Sequence, residues 1–257
     1  MSPGPKVFIT GASGGIGAAL AAFYAQKGAV LGLCARRLAP MQALFERLRC
    51  PGGCYRVDVT DSASLRAAAG DFLQRFGPPD IVIANAGVSA GTSGENPEDL
   101  AAFRKIMDTN VFGMAGTFQP FVSPMRERAS GTLVGIASVA GFRGLPGGGA
   151  YSASRSAAIA YLESLRVELR GSGVAVVTIC PGYVRTPMTD VNRYRMPFII
   201  DAEDAARRFA RAIARKRSFA VIPWQMALVS FVLRRLPRCL YDRLFAHAPR
   251  KARGLPL

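Results

Sequence analysis

A short apolar run, Val7-Phe8-Ile9, breaks into Thr10-Gly11-Ala12-Ser13-Gly14-Gly15-Ile16-Gly17 and then into an alanine-rich stretch, Ala18 to Ala25. Strand, glycine turn and helix in that order admit few folds. Gly11 lets the chain turn sharply out of the strand. Gly15 and Gly17 remove side chains that would block a phosphate or hold the helix away from a sheet. The free N–H groups at the helix start, in the turn that also carries Ser13 and Ile16, make an anion site. A strand before and a helix after the glycines are the context that fits a dinucleotide pyrophosphate. A purely structural turn is the competing reading.

The rest of the chain repeats the alternation. Apolar runs at 7–9, 30–34, 53–57, 81–84, 132–137, 174–180 and 219–222 read as strands. Amphipathic segments at 15–27, 39–49, 62–76, 97–111, 113–128, 152–171 and 202–217 read as helices. The expected fold is α/β: one Rossmann-type, doubly wound, seven-stranded parallel sheet with helices on both faces. With 257 residues, half of them hydrophobic, the chain can bury a large core. Residues 1–222 are expected to form the nucleotide-binding domain and 223–257 a C-terminal helical extension. The segments 144–149 and 183–200 read as loops over the site.

In such sheets ligands lie beyond the carboxyl ends of the strands. There the sequence places Arg36-Arg37, Asp58-Val59, Asn85-Ala86-Gly87, Ser138 and Pro181-Gly182. An acidic residue after the second strand would suit the 2′-hydroxyl of NAD. Arg36 and Arg37 suit a 2′-phosphate, so NADP (NADPH) is favoured over NAD. A solvated loop arginine is the bland alternative. Asp58 fits either an adenine amino group or a strand-end cap.

Tyr151 and Arg155 are four apart on a helical pattern and so share a face. Ser138 stands thirteen residues before Tyr151 at a strand end, and the two hydroxyls could converge on one carbonyl oxygen. Free tyrosine titrates at about 10, too high for efficient proton transfer near neutrality, and a neighbouring cation lowers it. Other chemistries have no residues to run on. His247 is the one histidine, which leaves neither a Ser-His-Asp triad nor a paired histidine metal site. Cys34, Cys50, Cys54, Cys180 and Cys239 show no metal spacing and no disulfide framework, pointing to free thiols in a reducing cytosol. No charged-then-apolar leader precedes the first strand.

Taken together, Thr10-Gly-x-x-x-Gly-Ile-Gly17, Asn85-Ala-Gly87, Asn110, Ser138, Tyr151-x-x-x-Arg155 and Pro181-Gly182 resemble the short-chain dehydrogenase/reductase family from Val7 to about Met188. The resemblance implies that Tyr151 is the general acid/base, that Ser138 holds the substrate carbonyl, and that Asn110 bends its helix and anchors a relay water. It implies that Asn85-Ala86-Gly87 supports the sheet and touches the adenosine ribose, and that Pro181, Gly182 and Thr186 contact the nicotinamide. One departure matters: the family pattern has lysine where this chain has Arg155. Arginine keeps the charge but is longer, planar and no proton donor at any relevant pH. Two expectations follow, an NADP-dependent carbonyl reductase or dehydrogenase, and an NADP-binding protein without catalysis.

The tail carries the substrate question. Residues 183–200 could close as an apolar lid. The apolar run 223–233 is too short to span a bilayer. Seven basic residues follow between 234 and 253, with Asp242 the one acid. Peripheral contact with an inner membrane face through 223–253 is one reading; a cover for the substrate pocket or a subunit contact is the other. Either implies an apolar carbonyl or alcohol substrate. The resemblance implies a homodimer or homotetramer. The net charge of +16 would suit nucleic acid, but no interleaved aromatics or binding motif accompany it.

Overall fold

The computed structural model describes residues 4–255 and 257. The strands are β1 (Lys6–Thr10), β2 (Val30–Ala35), β3 (Gly52–Arg56), β4 (Ile81–Ala84), β5 (Gly131–Ile136), β6 (Val174–Pro181), β7 (Val184–Arg185), β8 (Ile200–Asp201) and β9 (Phe219–Ile222). Seven of them form one parallel sheet in the order β3-β2-β1-β4-β5-β6-β9. The order reverses between β1 and β4, which opens a crevice at their carboxyl ends. The doubly wound fold expected from the alternation is the one observed.

Helices on both faces explain why the strands are apolar nearly throughout. The pleat sends Val7 and Ile9 to one face and Phe8 to the other. The first face is covered by α1 (Gly15–Ala25), α2 (Leu38–Leu48) and α8 (Ala202–Ala214), through Leu20, Tyr24, Met41 and Phe209. The second is covered by α3 (Ser62–Phe76), α5 (Gly113–Glu127) and α6 (Gly149–Glu168), through Phe72, Phe118, Phe121 and Leu162. Phe8 lies 4.8 Å from Phe121 and 5.5 Å from Phe72, centroid to centroid. Gly32 makes room for this cluster: a Cβ there would lie 2.6 Å from both Phe8 and Phe72. Each buried ring contributes roughly 1.5–3 kcal/mol by leaving water.

Two segments differ from the sequence expectation. The helices expected at 97–111 and 113–128 form one continuous run. α4 (Asp99–Met107) passes through a wide π turn, Asp108–Phe112, straight into α5. The extra residue in that turn carries Asn110, whose bonds are tertiary and leave no local signal. The loop expected at 183–200 is partly ordered: β7 and β8 pair, and α7 (Pro187–Asp190) is capped reciprocally by Thr186 and Thr189.

Beyond β9 lie α9 (Trp224–Arg235) and α10 (Arg238–Phe245). They are tied to the 141–149 loop. Arg143 donates to the Leu233 and Leu236 carbonyls at 3.1 and 3.0 Å, and Tyr241 donates to the Gly144 carbonyl at 2.5 Å. Among the described residues no helix is long and apolar enough to cross a membrane. All five cysteines are free.

Candidate active site

A cavity of about 600 Å³ opens at the carboxyl ends of β1, β2, β4, β5 and β6. Of the site residues named from sequence, all but Gly17 and Asn110 line it. Both exceptions sit behind its wall. A side chain at Gly17 would collide with the Gly11 carbonyl, so this glycine serves the packing of α1 on the turn.

The turn after β1 is shaped by its neighbours. Gly11 has φ +70°, and a Cβ there would lie 2.8 Å from Ala86 Cα. Gly15 has φ +54° and faces Thr186. Gly14 caps α1 without any side-chain hydrogen bond, so the first-turn N–H groups are left for an anion. Asn85 staples the turn to β4: its amide donates to the Thr10 and Gly11 carbonyls, both at 3.1 Å. Its donors are thus spent on the scaffold, beneath the place expected for a ribose.

Arg36 and Arg37 are exposed on the rim of the same cavity. Asp58 serves first as a cap, accepting from the Thr60 N–H at 3.0 Å and its hydroxyl at 2.8 Å, and faces Lys105 at 3.8 Å. Burial pushes its carboxyl up, but the Thr60 hydrogen bonds and the Lys105 and Arg36 charges outweigh it and hold the pKa below the usual value. Val59 lies buried beside it against Gly113.

At the other end, Ser138 closes β5, its hydroxyl accepting from the Ala140 N–H at 3.1 Å. Tyr151 and Arg155 share the first turns of α6. The guanidinium carbon stands 5.1 Å from the Tyr151 ring centroid, and Nη1 donates to the Ile136 carbonyl at 3.0 Å. Arg155 is only 4 % exposed, its Nε has no partner, and no carboxylate pairs with it among the described residues. Gly87 gives it room, since any side chain there would collide with Nη2. A buried cation without a counter-charge is costly unless a group beside it can ionise. The phenol is that group. Burial pushes the Tyr151 pKa up, but the Arg155 charge, polar contacts with Arg155 and Ser138, and the Lys251 charge outweigh it, so the phenol lies below its ordinary value.

Asn110, fully buried, holds this end together. Its Oδ1 accepts from the Val88 N–H at 2.8 Å, and its Nδ2 donates to the Val88 carbonyl and to Ser154, both at 3.0 Å. The π turn aims the amide across to the loop after β4 and to α6. Both its donors are committed to protein groups. Pro181 ends β6 and Gly182 follows it, its N–H donating to the Ile222 carbonyl at 2.8 Å. Thr186 reaches the cavity, but its hydroxyl is engaged in capping α7, 3.3 Å from that of Thr189.

Two residues on the wall had no signal in the sequence: Leu255 and Leu257, which arrive from the C-terminal segment. Tyr194, in the 183–200 segment, has its ring 6.4 Å from that of Tyr183, and burial pushes its pKa up to about 12. A lowered phenol beside a serine hydroxyl can give a proton to a carbonyl oxygen and hold that oxygen in place.

Comparison with known proteins identifies the family. The family model described as short chain dehydrogenase matches residues 5–196. An uncharacterized oxidoreductase of Myxococcus xanthus is 40% identical over 237 residues, covering 91% of this chain and 93% of that protein. Dehydrogenase/reductase SDR family member 7B of Mus musculus is 30% identical, covering 96% and 82%. A solved short chain dehydrogenase/reductase from Burkholderia phymatum, in complex with NAD, superposes with a TM-score of 0.82 at 25% identity, covering 98% and 99%. The chain belongs to the short-chain dehydrogenase/reductase family.

Proposed function

We propose that this chain is an NADP-dependent oxidoreductase that interconverts a carbonyl and an alcohol on an apolar substrate, with Tyr151 as the general acid/base. The observation that carries the reading is the buried Arg155 guanidinium, 5.1 Å from the Tyr151 ring centroid and with no carboxylate partner among the described residues. Its charge is offset when the phenol gives up its proton.

The residues present fit a nicotinamide dinucleotide. The α1 N-terminus is uncapped, and side chains at Gly11 and Gly15 would intrude on Ala86 and Thr186. Gly11, Ser13, Gly15 and Ile16 would hold the pyrophosphate, and Ala86 and Gly87 the adenosine ribose. Pro181, Gly182 and Thr186 would hold the nicotinamide. Arg36 and Arg37 on the rim support NADP over NAD, because a guanidinium matches a 2′-phosphate in charge and shape. When bound, the cofactor supplies or accepts the hydride.

The chain's own residues then manage the proton. Ser138 donates a hydrogen bond to the substrate oxygen. Tyr151 passes its phenolic proton to that oxygen in reduction and takes it back in oxidation. Arg155 stabilises the phenolate left behind. Leu255, Leu257, Met188 and Val191 on the cavity wall support an apolar substrate.

Apolar side chains left in water support self-association. Leu100 on α4, Phe112 in the π turn and Val167 on α6 are 72%, 67% and 59% exposed. A second such surface, Trp224, Leu228 and Phe231 on α9 with Arg234 and Arg235 following, supports contact with an anionic bilayer surface. Consumption of NADPH against a panel of apolar ketones and aldehydes tests the activity. Binding without turnover, together with gain of activity in Arg155→Lys, would favour the non-catalytic NADP-binding reading.

A further inference from the structure

Residues 250–255, with Leu257, fold back over the site as a strap. Gly147, in the loop before α6, leaves room for the Arg250 side chain: a Cβ there would lie 2.7 Å from the Arg250 Cβ. The Gly91 N–H donates to the Ala252 carbonyl at 2.8 Å, and any side chain at Gly91 would collide with the Lys251 carbonyl oxygen. Lys251 Nζ donates to the Met188 carbonyl at 3.1 Å, which ties the strap to the 183–200 segment. Arg253 bonds Asp99, the first residue of α4, at 2.7 Å and faces Glu98 at 3.7 Å. The Asp99 side chain is 11% exposed, against 30% or more for every other acid in the ion pairs among the described residues. A pair this sheltered is screened less than the exposed ones, so it is the firmest of the anchors.

The anchors bring two leucines to the reacting end of the site. Leu255 and Leu257 pack, beside Val88, on the buried cluster of Ala90, Ile106 and Ala150. Ala150 immediately precedes Tyr151 on α6, and Val88 is the residue whose N–H and carbonyl Asn110 holds. The cluster takes nothing from the glycine turn. Both leucines also line the cavity that Ser138 and Tyr151 line. On the reductase reading, this one cavity of about 600 Å³ takes a dinucleotide and a substrate together. The space the leucines fill is therefore space the substrate cannot use. An apolar wall of this kind discriminates by size, because an added group either finds room or collides.

We propose that Leu255 and Leu257 are specificity-determining residues: carried by the strap and fixed by Arg253 on Asp99, they form the wall that limits the size of the apolar group a carbonyl substrate presents at the Tyr151 end of the cavity. This rests on the reductase reading of the site. Compact apolar ketones fit inside the wall. Extended ones meet the leucines, and are admitted when the leucines are trimmed or the strap is let go.

The test compares acetophenone with 4-acetylbiphenyl, which share the reacting carbonyl and differ by one ring. Each is titrated calorimetrically into the full chain saturated with NADP⁺, which has no hydride to give, so binding is read without turnover. Wild type is expected to bind acetophenone the more tightly. Leu255→Ala with Leu257→Ala should shift the affinity ratio toward 4-acetylbiphenyl by about tenfold or more, with NADP⁺ affinity nearly unchanged. Leu255→Met with Leu257→Met keeps the volume and should leave the ratio near wild type. Arg253→Met keeps both leucines but releases their anchor; it should speed amide exchange at Gly91 and move the ratio the same way. A ratio unmoved in the double alanine variant overturns the proposal and reduces the strap to a cover without selectivity. A wild type that shows these ratios but oxidises no NADPH against either ketone defeats the reductase reading and leaves the wall standing.

Discussion

The phenol and its guanidinium carry the chemistry at the scale of single residues. Tyr151→Phe removes the transferable proton and leaves the ring that Arg155 faces. Turnover is expected to fall about 10²–10⁴-fold with NADPH affinity nearly unchanged, read by steady-state kinetics and fluorescence titration. Arg155→Met removes the charge beside the phenol, so the Tyr151 midpoint should rise by about 1 unit or more. The rim arginines set cofactor choice: replacing Arg36 and Arg37 together by alanine should cut the NADPH-over-NADH preference at least about tenfold, as expected when charged hydrogen bonds are lost. The sequence brought Tyr151, Arg155 and Ser138 into one group because helix spacing and strand ends are local. It carried no sign of the missing Arg155 counter-ion, since that depends on what the rest of the chain leaves nearby.

Elements decide where those residues point. The π turn Asp108–Phe112 turns Asn110 toward Val88 and Ser154, joining the loop after β4 to α6. Asn110→Ala would strand the half-buried Val88 N–H and carbonyl and should cost roughly 1–3 kcal/mol in urea unfolding, with loss of turnover because α6 carries Tyr151. Gly11 is held by its neighbours as well as by its backbone angle. Gly11→Ala is expected to lower the unfolding temperature and to weaken NADPH binding together, as Ala86 is pushed aside. The glycine turn and the seven strands were legible because each rests on local pattern. The fusion of α4 and α5 was not, because Phe112-Gly113 looks like a helix break until tertiary bonds to Asn110 are known.

Across the whole molecule, the C-terminal segment joins parts that are far apart in sequence. Arg253 and Asp99 are separated by 154 positions, and Lys251 and Met188 by 63. No periodicity reveals such contacts, which is why the tail was left between a membrane contact and a cover for the pocket or a subunit contact, with Leu255 and Leu257 unassigned. The exposed apolar residues of α4, the π turn and α6 belong to this scale too. Light scattering should show a dimer or larger assembly, reduced to monomer by Leu100→Glu with Phe112→Glu. The proton transfer itself is tested most directly by comparing wild type and Tyr151→Phe for NADPH oxidation against the best apolar ketone, at saturating cofactor. Robust turnover in the wild type and near-complete loss in the variant, with NADPH still bound, is the expected result. Equal rates in the two proteins would contradict it.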